Sequence, residues 1–142
     1  MGIQRISMLW VCLLALTYSF AQEVAPAEDN KPGAEITFEE VTFEFGDIQQ
    51  GDQVEHIFTF ENTGEVPLVL TNVQTTCGCT VPKWPRQPIP PGQKGEIQVK
   101  FNSAGKMGKQ HKVIKIISNA KTPISQITIT TNILPKKDSD TE

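Results

Sequence analysis

Residues 96–101 read Glu-Ile-Gln-Val-Lys-Phe, and this stretch sets the pattern for most of the chain. Apolar Ile97, Val99 and Phe101 alternate with polar neighbours at a period of two residues. That period places the apolar side chains on one face of a β-strand and the polar side chains on the other. The stretch therefore predicts a two-faced strand in a layered all-β domain.

Related apolar patterns lie on both sides of this strand, separated by turn-forming residues such as Asn62-Thr63-Gly64 and Pro91-Gly92. They cover residues 36–45, residues 54–60, a segment opened by Leu68 and Leu70, residues 111–118 and residues 127–133. Residues 111–118 have apolar side chains at both odd and even positions, which predicts a central strand covered on both of its faces. Residues 46–52 have turn chemistry.

These segments amount to about seven strands with short connections, the signature of an immunoglobulin-like β-sandwich. We predict an all-β, immunoglobulin-like sandwich of about seven antiparallel strands over residues 35–135, with a small barrel as the alternative. The inward rows supply a core dominated by Phe and Ile, which is adequate for one domain.

The two ends of the chain are predicted to lie outside the domain. Residues 1–21 have a basic start, an apolar run and small residues before position 22, so they predict a signal peptide cleaved after Ala21. Cys12 lacks a small residue directly before it, which argues against a lipid anchor. Residues 22–34 predict a flexible leader and residues 136–142 a charged tail. The protein is expected to be periplasmic or extracellular, with no membrane span after cleavage.

Charge and motifs exclude several functions. The chain has 13 basic and 16 acidic residues and no basic block, which argues against nucleic-acid binding. It has no phosphate-cradling glycine loop and no nucleophile elbow, so conventional kinase or hydrolase chemistry is not expected.

Three sequence motifs together resemble those of the bacterial family that carries domain of unknown function 1573. They are residues 58–64 with Leu68 and Leu70, residues 76–80 (Thr-Cys-Gly-Cys-Thr), and residues 89–92 (Ile-Pro-Pro-Gly) followed by residues 97–101. The resemblance covers residues 43–133 and implies an exported, immunoglobulin-like single domain without an assigned activity. The family's central motif falls on Cys77, Gly78 and Cys79.

Cys77 and Cys79 are the two cysteines that remain after the predicted cleavage, and an oxidising compartment favours a disulfide between them. Residues two apart reach the usual Cα–Cα range of about 4.4–6.8 Å when the chain turns at the intervening Gly78. So small a ring stabilises little, and a strained ring is easier to reduce. The pair predicts a local disulfide or dithiol, either an inert clip or a redox site.

A metal site is the other interpretation of the two thiols. Thiolates suit Cu(I) or Zn²⁺, and a closed zinc site has four ligands. His56 and His111 would complete the set, because their strand starts and the cysteine loop are expected at one end of the sandwich. Otherwise His56 is a hydrogen-bonded core residue and His111 a surface residue.

Trp84 lies next to the motif, in a proline-rich segment that predicts an extended edge crossing. It is a candidate binding anchor, and the alternative is that it covers the edge of the core. Loop cations expected nearby would favour a thiolate, or form an ordinary solvated loop: Lys83, Arg86, Lys106 and Lys109.

The sequence thus predicts an exported, non-enzymatic binding or scaffolding module of the bacterial cell envelope, with an unknown protein or envelope component as partner and no cofactor. The alternative is a thiol-redox or copper- or zinc-binding protein that acts through Cys77 and Cys79.

Overall fold

The computed structural model describes residues 32–136, which form eight β-strands. They are β1 (Ile36–Phe38), β2 (Thr42–Gln49), β3 (Gln53–Asn62), β4 (Leu70–Thr75), β5 (Thr80–Lys83), β6 (Lys94–Asn102), β7 (Gly108–Ser118) and β8 (Ile124–Leu134). Sheet 1 has the order β1-β3-β6-β5, and sheet 2 has the order β2-β8-β7-β4. The predicted immunoglobulin-like β-sandwich is confirmed.

Each sheet turns one row of side chains into a common core, as the period-two pattern predicted. Burying one such side chain is worth about 1.5–3 kcal/mol, so these two rows dominate the stability of the domain. The largest fully buried apolar side chains in the two sheets are Phe58, Phe60, Ile97, Val99 and Phe101 from sheet 1, and Ile114, Ile116, Ile127, Ile129 and Ile133 from sheet 2.

The N-terminal alternation, predicted as one strand over residues 36–45, is two strands in different sheets. β1 pairs with β3, the chain then crosses between the sheets at residues 39–41, and β2 pairs with β8. Val41 is 55% exposed because it lies in this crossing rather than in a strand. The alternation changes parity between Phe38 and Val41, and this change marks the break between the two strands.

β2 departs from the expected pattern in two further ways. It runs parallel to β8, so the predicted all-antiparallel pairing is wrong for this edge. It also continues to Gln49, into the segment predicted as a turn, because a register shift between Glu44 and Asp47 absorbs Gly46. The turn itself begins only after Gln49, whose carbonyl accepts a hydrogen bond from the Asp52 amide. Gly46, with φ of 71°, lies in this bulge, a position that favours glycine.

The ordered domain begins earlier than residue 35. Ala34 is fully buried and bridges Ala120, and its carbonyl accepts a hydrogen bond from the Lys121 amide. Ala34, predicted as leader, is therefore part of the core. The predicted signal peptide and most of the leader and tail lie outside the described residues. No helix within residues 32–136 is long and apolar enough to cross a membrane.

Candidate functional site

The Cys-Gly-Cys segment carries the chain from one sheet to the other. β4 ends at Thr75 as an edge strand of sheet 2, and β5 begins at Thr80 as an edge strand of sheet 1. Residues 76–79, termed the disulfide crossing, connect these two edges. The motif therefore lies at one side of the sandwich, where the chain changes sheet.

Cys77 and Cys79 form a disulfide, with their Cα atoms 5.3 Å apart. Hydrogen bonds hold the same turn independently of that bond. The Thr80 amide donates to the Cys77 carbonyl at 3.3 Å, and the Asn102 amide donates to the Cys79 carbonyl at 3.0 Å. The Thr75 hydroxyl lies 3.0 Å from the Cys77 carbonyl and 3.2 Å from the Thr80 carbonyl, and it is the donor in both contacts.

The Thr80 hydroxyl lies beside both sulfur atoms, 3.8 Å from Cys77 Sγ and 4.0 Å from Cys79 Sγ. Thr80 is only 3% exposed. Both cysteines are half-buried, and Cys79 packs against the hydrophobic core. The sequence pattern assigned no role to Thr75 or Thr80. Thr80 directly follows the motif and Thr75 lies two residues before it, but threonine is so common in strands that this placement carries little information.

Gly78 is exposed at the tip of this turn. Its φ is not positive, and a Cβ built on it would meet nothing within 4 Å. Neither backbone conformation nor packing within the described chain therefore requires glycine here.

His56 is a packed, hydrogen-bonded residue of β3. Its ring stacks on Phe43 at a centroid distance of 3.5 Å and an angle of 7°, and Nε2 lies 2.6 Å from Glu40 Oε1. The side chain is 19% exposed. These contacts fix β2 against sheet 1 at the crossing between β1 and β2 (residues 39–41), which we term the N-terminal crossing.

Within residues 32–136, the structure does not bring the four proposed metal ligands together. His111 is an exposed residue of β7, opposite Thr130 in sheet 2, whereas His56 belongs to sheet 1. The two sulfur atoms are bonded to each other, so neither is a thiolate ligand. Across residues 32–136, no three His, Cys, Asp or Glu side chains gather in an arrangement that could hold a metal ion.

An open groove of about 620 Å³ crosses the outer face of sheet 1, and we term it the Trp84 groove. Ile57, which is 44% exposed, supplies an apolar wall on β3. Other residues that line the groove are Thr59, Lys83, Trp84, Pro85, Glu96 and Gln98.

Trp84 combines the two roles considered for it. It packs against the core and also lines the groove, and the Arg86 guanidinium lies 3.8 Å above its ring. Its Nε1 is shielded from solvent and has no hydrogen-bond partner in the described part of the chain. Of the four loop cations, Lys83 and Arg86 border this groove, whereas Lys109 lines a separate cavity with His111.

Ion pairs neutralise two cations on the same face. Lys94 lies 2.5 Å from Glu39, and this hydrogen bond raises the pKa of Lys94 above its ordinary value. Lys100 lies 3.1 Å from Glu55. Within residues 32–136, Lys83 and Arg86 form no ion pair, so they leave one side of the groove cationic. Glu96, which also lines the groove, forms no ion pair in the same part of the chain.

Fold and site together define an immunoglobulin-like β-sandwich domain with a disulfide at a sheet-to-sheet crossing. Residues 36–133 match the family described as "Protein of unknown function (DUF1573)", and the chain belongs to that family. The resemblance inferred from the sequence is confirmed. No curated protein matches the chain.

Solved structures share the fold at low identity. A protein of unknown function from Porphyromonas gingivalis W83 is 19% identical with a TM-score of 0.62, and the match covers 70% of this chain but 46% of that one. The ASH/PapD-like domain 7 of human CEP192 is 8% identical with a TM-score of 0.61, covering 75% and 89%. The secreted serine protease VesC from Vibrio cholerae is 16% identical with a TM-score of 0.54, covering 78% of this chain and 25% of that one.

Proposed function

We propose that this domain is an exported, non-enzymatic binding or scaffolding module of the bacterial cell envelope, and that the Trp84 groove is its contact surface. The observation that carries the proposal is an open groove on a sheet face that leaves an apolar side chain, Ile57, 44% exposed. Export rests on the signal peptide predicted from residues 1–21.

The groove has the composition of a protein-contact surface. Ile57 and Pro85 provide an apolar centre, Trp84 is an aromatic anchor, and Lys83 and Arg86 provide a cationic rim. Interfaces concentrate binding energy in aromatic and arginine side chains that are surrounded by polar contacts. The partner that fits is a protein segment that presents an apolar side chain flanked by carboxylates.

Site-specific photo-crosslinking in cells tests this proposal. A photoreactive phenylalanine analogue placed at position 57 should give a discrete adduct with an envelope component. Charge reversal by Lys83→Glu should reduce that adduct several-fold, because it places a negative charge at the cationic rim.

The matched control places the same analogue at position 124. Ile124 is 53% exposed but lies on β8 of sheet 2, away from the groove. Identical adducts from both positions, or none from position 57, would show that the groove is not a contact surface.

A second candidate function is thiol–disulfide exchange at Cys77 and Cys79. It is supported by the disulfide between them and by the half-buried position of both residues in a turn that other hydrogen bonds already hold. Reduction of the purified protein by a small dithiol under native conditions, followed by thiol counting with a maleimide, tests it. Two thiols should appear while the circular dichroism spectrum stays unchanged.

A further inference from the structure

We propose that the Thr80 hydroxyl serves the reduced form of the disulfide crossing by donating a hydrogen bond to the thiolate released when a protein dithiol attacks Cys77. The inference rests on the second candidate function above and names the class of its reaction partner, a protein dithiol. It makes Thr80 a positioning residue for thiol–disulfide exchange.

Contacts other than the disulfide also hold the turn and the strands on either side of it, which leaves the bond free for chemistry. The bond closes a loop with a sequence separation of two residues, so it removes little entropy from the unfolded chain. The two strand ends are fixed by their own ladders, β4 to β7 and β5 to β6. Hydrogen bonds from Thr75 and Asn102 keep the turn in place when the sulfur atoms are no longer bonded.

The surroundings of the Thr80 hydroxyl suit the reduced state better than the oxidised one. A buried hydroxyl is normally paired with a strong acceptor such as a carbonyl oxygen. Within the described residues, the side-chain hydrogen-bond partners of Thr80 are the two sulfur atoms, both within 4.0 Å. A disulfide sulfur is a weak acceptor, whereas a thiolate carries a full charge and accepts a strong, charge-assisted hydrogen bond.

The approach to the sulfur atoms indicates which one is attacked. Gly78 is exposed and has open space around its missing Cβ, so an incoming thiolate meets no side chain from the tip of the turn. Cys79 packs against the core, which hinders attack at its sulfur. Apolar surroundings disfavour a thiolate at Cys79 unless a donor is present, and Thr80 supplies that donor.

The exchange balances with a dithiol as reductant. Its first thiolate attacks Cys77 Sγ, the Cys77–Cys79 bond breaks, and a mixed disulfide forms at Cys77. Cys79 leaves as a thiolate, accepts the hydrogen bond from Thr80 and then takes a proton from water. The second thiol of the reductant loses its proton to water and attacks the reductant sulfur that is bonded to Cys77. Cys77 leaves as a thiolate and takes a proton from water. The domain gains two electrons and two protons, and the partner gains a disulfide.

The test compares the wild-type protein with Thr80→Val and Thr80→Ser, using dithiothreitol as the reductant. Thr80→Val should slow reduction at pH 7 about tenfold, because the departing thiolate loses a hydrogen bond to a charged group. In the reduced protein, the pH midpoint of iodoacetamide alkylation should move upward by about one unit. Thr80→Ser keeps the hydroxyl and should behave like the wild type.

The possible outcomes separate the two proposals. If the folded wild-type protein resists dithiothreitol, thiol–disulfide exchange itself fails, and this inference fails with it. If the wild type is reduced and Thr80→Val matches it in both rate and pH midpoint, exchange stands and the role of Thr80 is overturned. Should Thr80→Val not fold, Thr80→Ala makes the same comparison without adding a methyl group in place of the hydroxyl.

A separate experiment tests which of the two sulfur atoms is attacked. The variants Cys79→Ser and Cys77→Ser each leave one thiol, and each is treated with Ellman's reagent under native conditions. Faster reaction of the variant that keeps Cys77 supports attack at Cys77, and faster reaction of the variant that keeps Cys79 overturns it.

Discussion

Between β1 and β8 the chain changes sheet five times, and two of these crossings, the N-terminal crossing and the disulfide crossing, are held in different ways. The N-terminal crossing is held by side-chain packing: His56 stacks on Phe43 and pairs with Glu40. The disulfide crossing is held by hydrogen bonds from Thr75, Thr80 and Asn102 and by one covalent bond. The covalently linked crossing is the one that we expect to contribute less to stability.

The magnitudes explain this difference. An aromatic pair adds about 0.5–1.5 kcal/mol beyond the area it buries, and the area term itself is larger. Closing a three-residue loop removes only about 1.6 kcal/mol of unfolded-state entropy, against about 3 kcal/mol for fifteen residues. The first crossing therefore stabilises the fold, and the second holds two sulfur atoms at a half-buried edge.

The largest expected effect comes from the N-terminal crossing. Phe43→Ala should lower the free energy of unfolding by about 2–3 kcal/mol, the lower end of the range for a large-to-small change, because Phe43 is half-buried. Urea unfolding followed by circular dichroism measures this value.

Val41→Ala is the matched control, since Val41 belongs to the same crossing but is 55% exposed. It should change the free energy of unfolding by less than about 0.5 kcal/mol. Equal effects of the two substitutions would mean that the stacked ring does not hold this crossing.

A smaller effect is expected at the disulfide crossing. The double variant Cys77→Ser, Cys79→Ser should lose about 1–2 kcal/mol of unfolding free energy, and dithiothreitol should produce a similar loss in the wild-type protein. The double variant itself should not respond to the reductant. A loss above about 3 kcal/mol would make the bond a structural staple and would remove the contrast between the crossings.

The smallest effect is expected at Gly78. Gly78→Ala should leave stability unchanged or raise it by up to about 0.5–1 kcal/mol, because its Cβ meets nothing within 4 Å and its φ is not positive. Gly64→Ala provides the contrast, since its Cβ would collide with the Gly33 carbonyl oxygen and the Glu35 amide. Thermal unfolding of both variants checks the pair, and a strongly destabilised Gly78→Ala would point to a packing role for this glycine.

The sequence predicted the sandwich well because its strongest signal is local. Ile97, Val99 and Phe101 alternate with polar residues along one strand, and the paired strand β3 has the same alternation. The buried face of each strand can therefore be predicted from its own sequence, without knowledge of the other sheet. The error at residues 36–45 has another cause, since a single predicted strand overlooks the change of parity between Phe38 and Val41. Phe38 and Phe43 read as one strand, although they pair in different sheets.

The candidate site was predicted only in part. Cys77 and Cys79 are adjacent enough for their pairing to be anticipated, and Trp84 stood out as a large aromatic side chain beside them. The ligand role proposed for His56 and His111 needed the two side chains to meet, whereas the structure places them in different sheets. The sequence does not encode such distances in any local pattern. No role was predicted for Thr80 for the same reason, because the position of its hydroxyl beside the two sulfur atoms depends on the geometry of the turn.

The sequence by itself determined the fold class, the buried rows of the strands and a cysteine spacing that permits a local disulfide, because each follows from periodicity or from covalent spacing. The tertiary structure decided that the disulfide lies between the edges of two sheets, that His56 is locked by Phe43 and Glu40, and that a buried hydroxyl faces both sulfur atoms. The physical reason is that these relations join side chains through the packing of separate strands. Only the complete set of pairings fixes that packing.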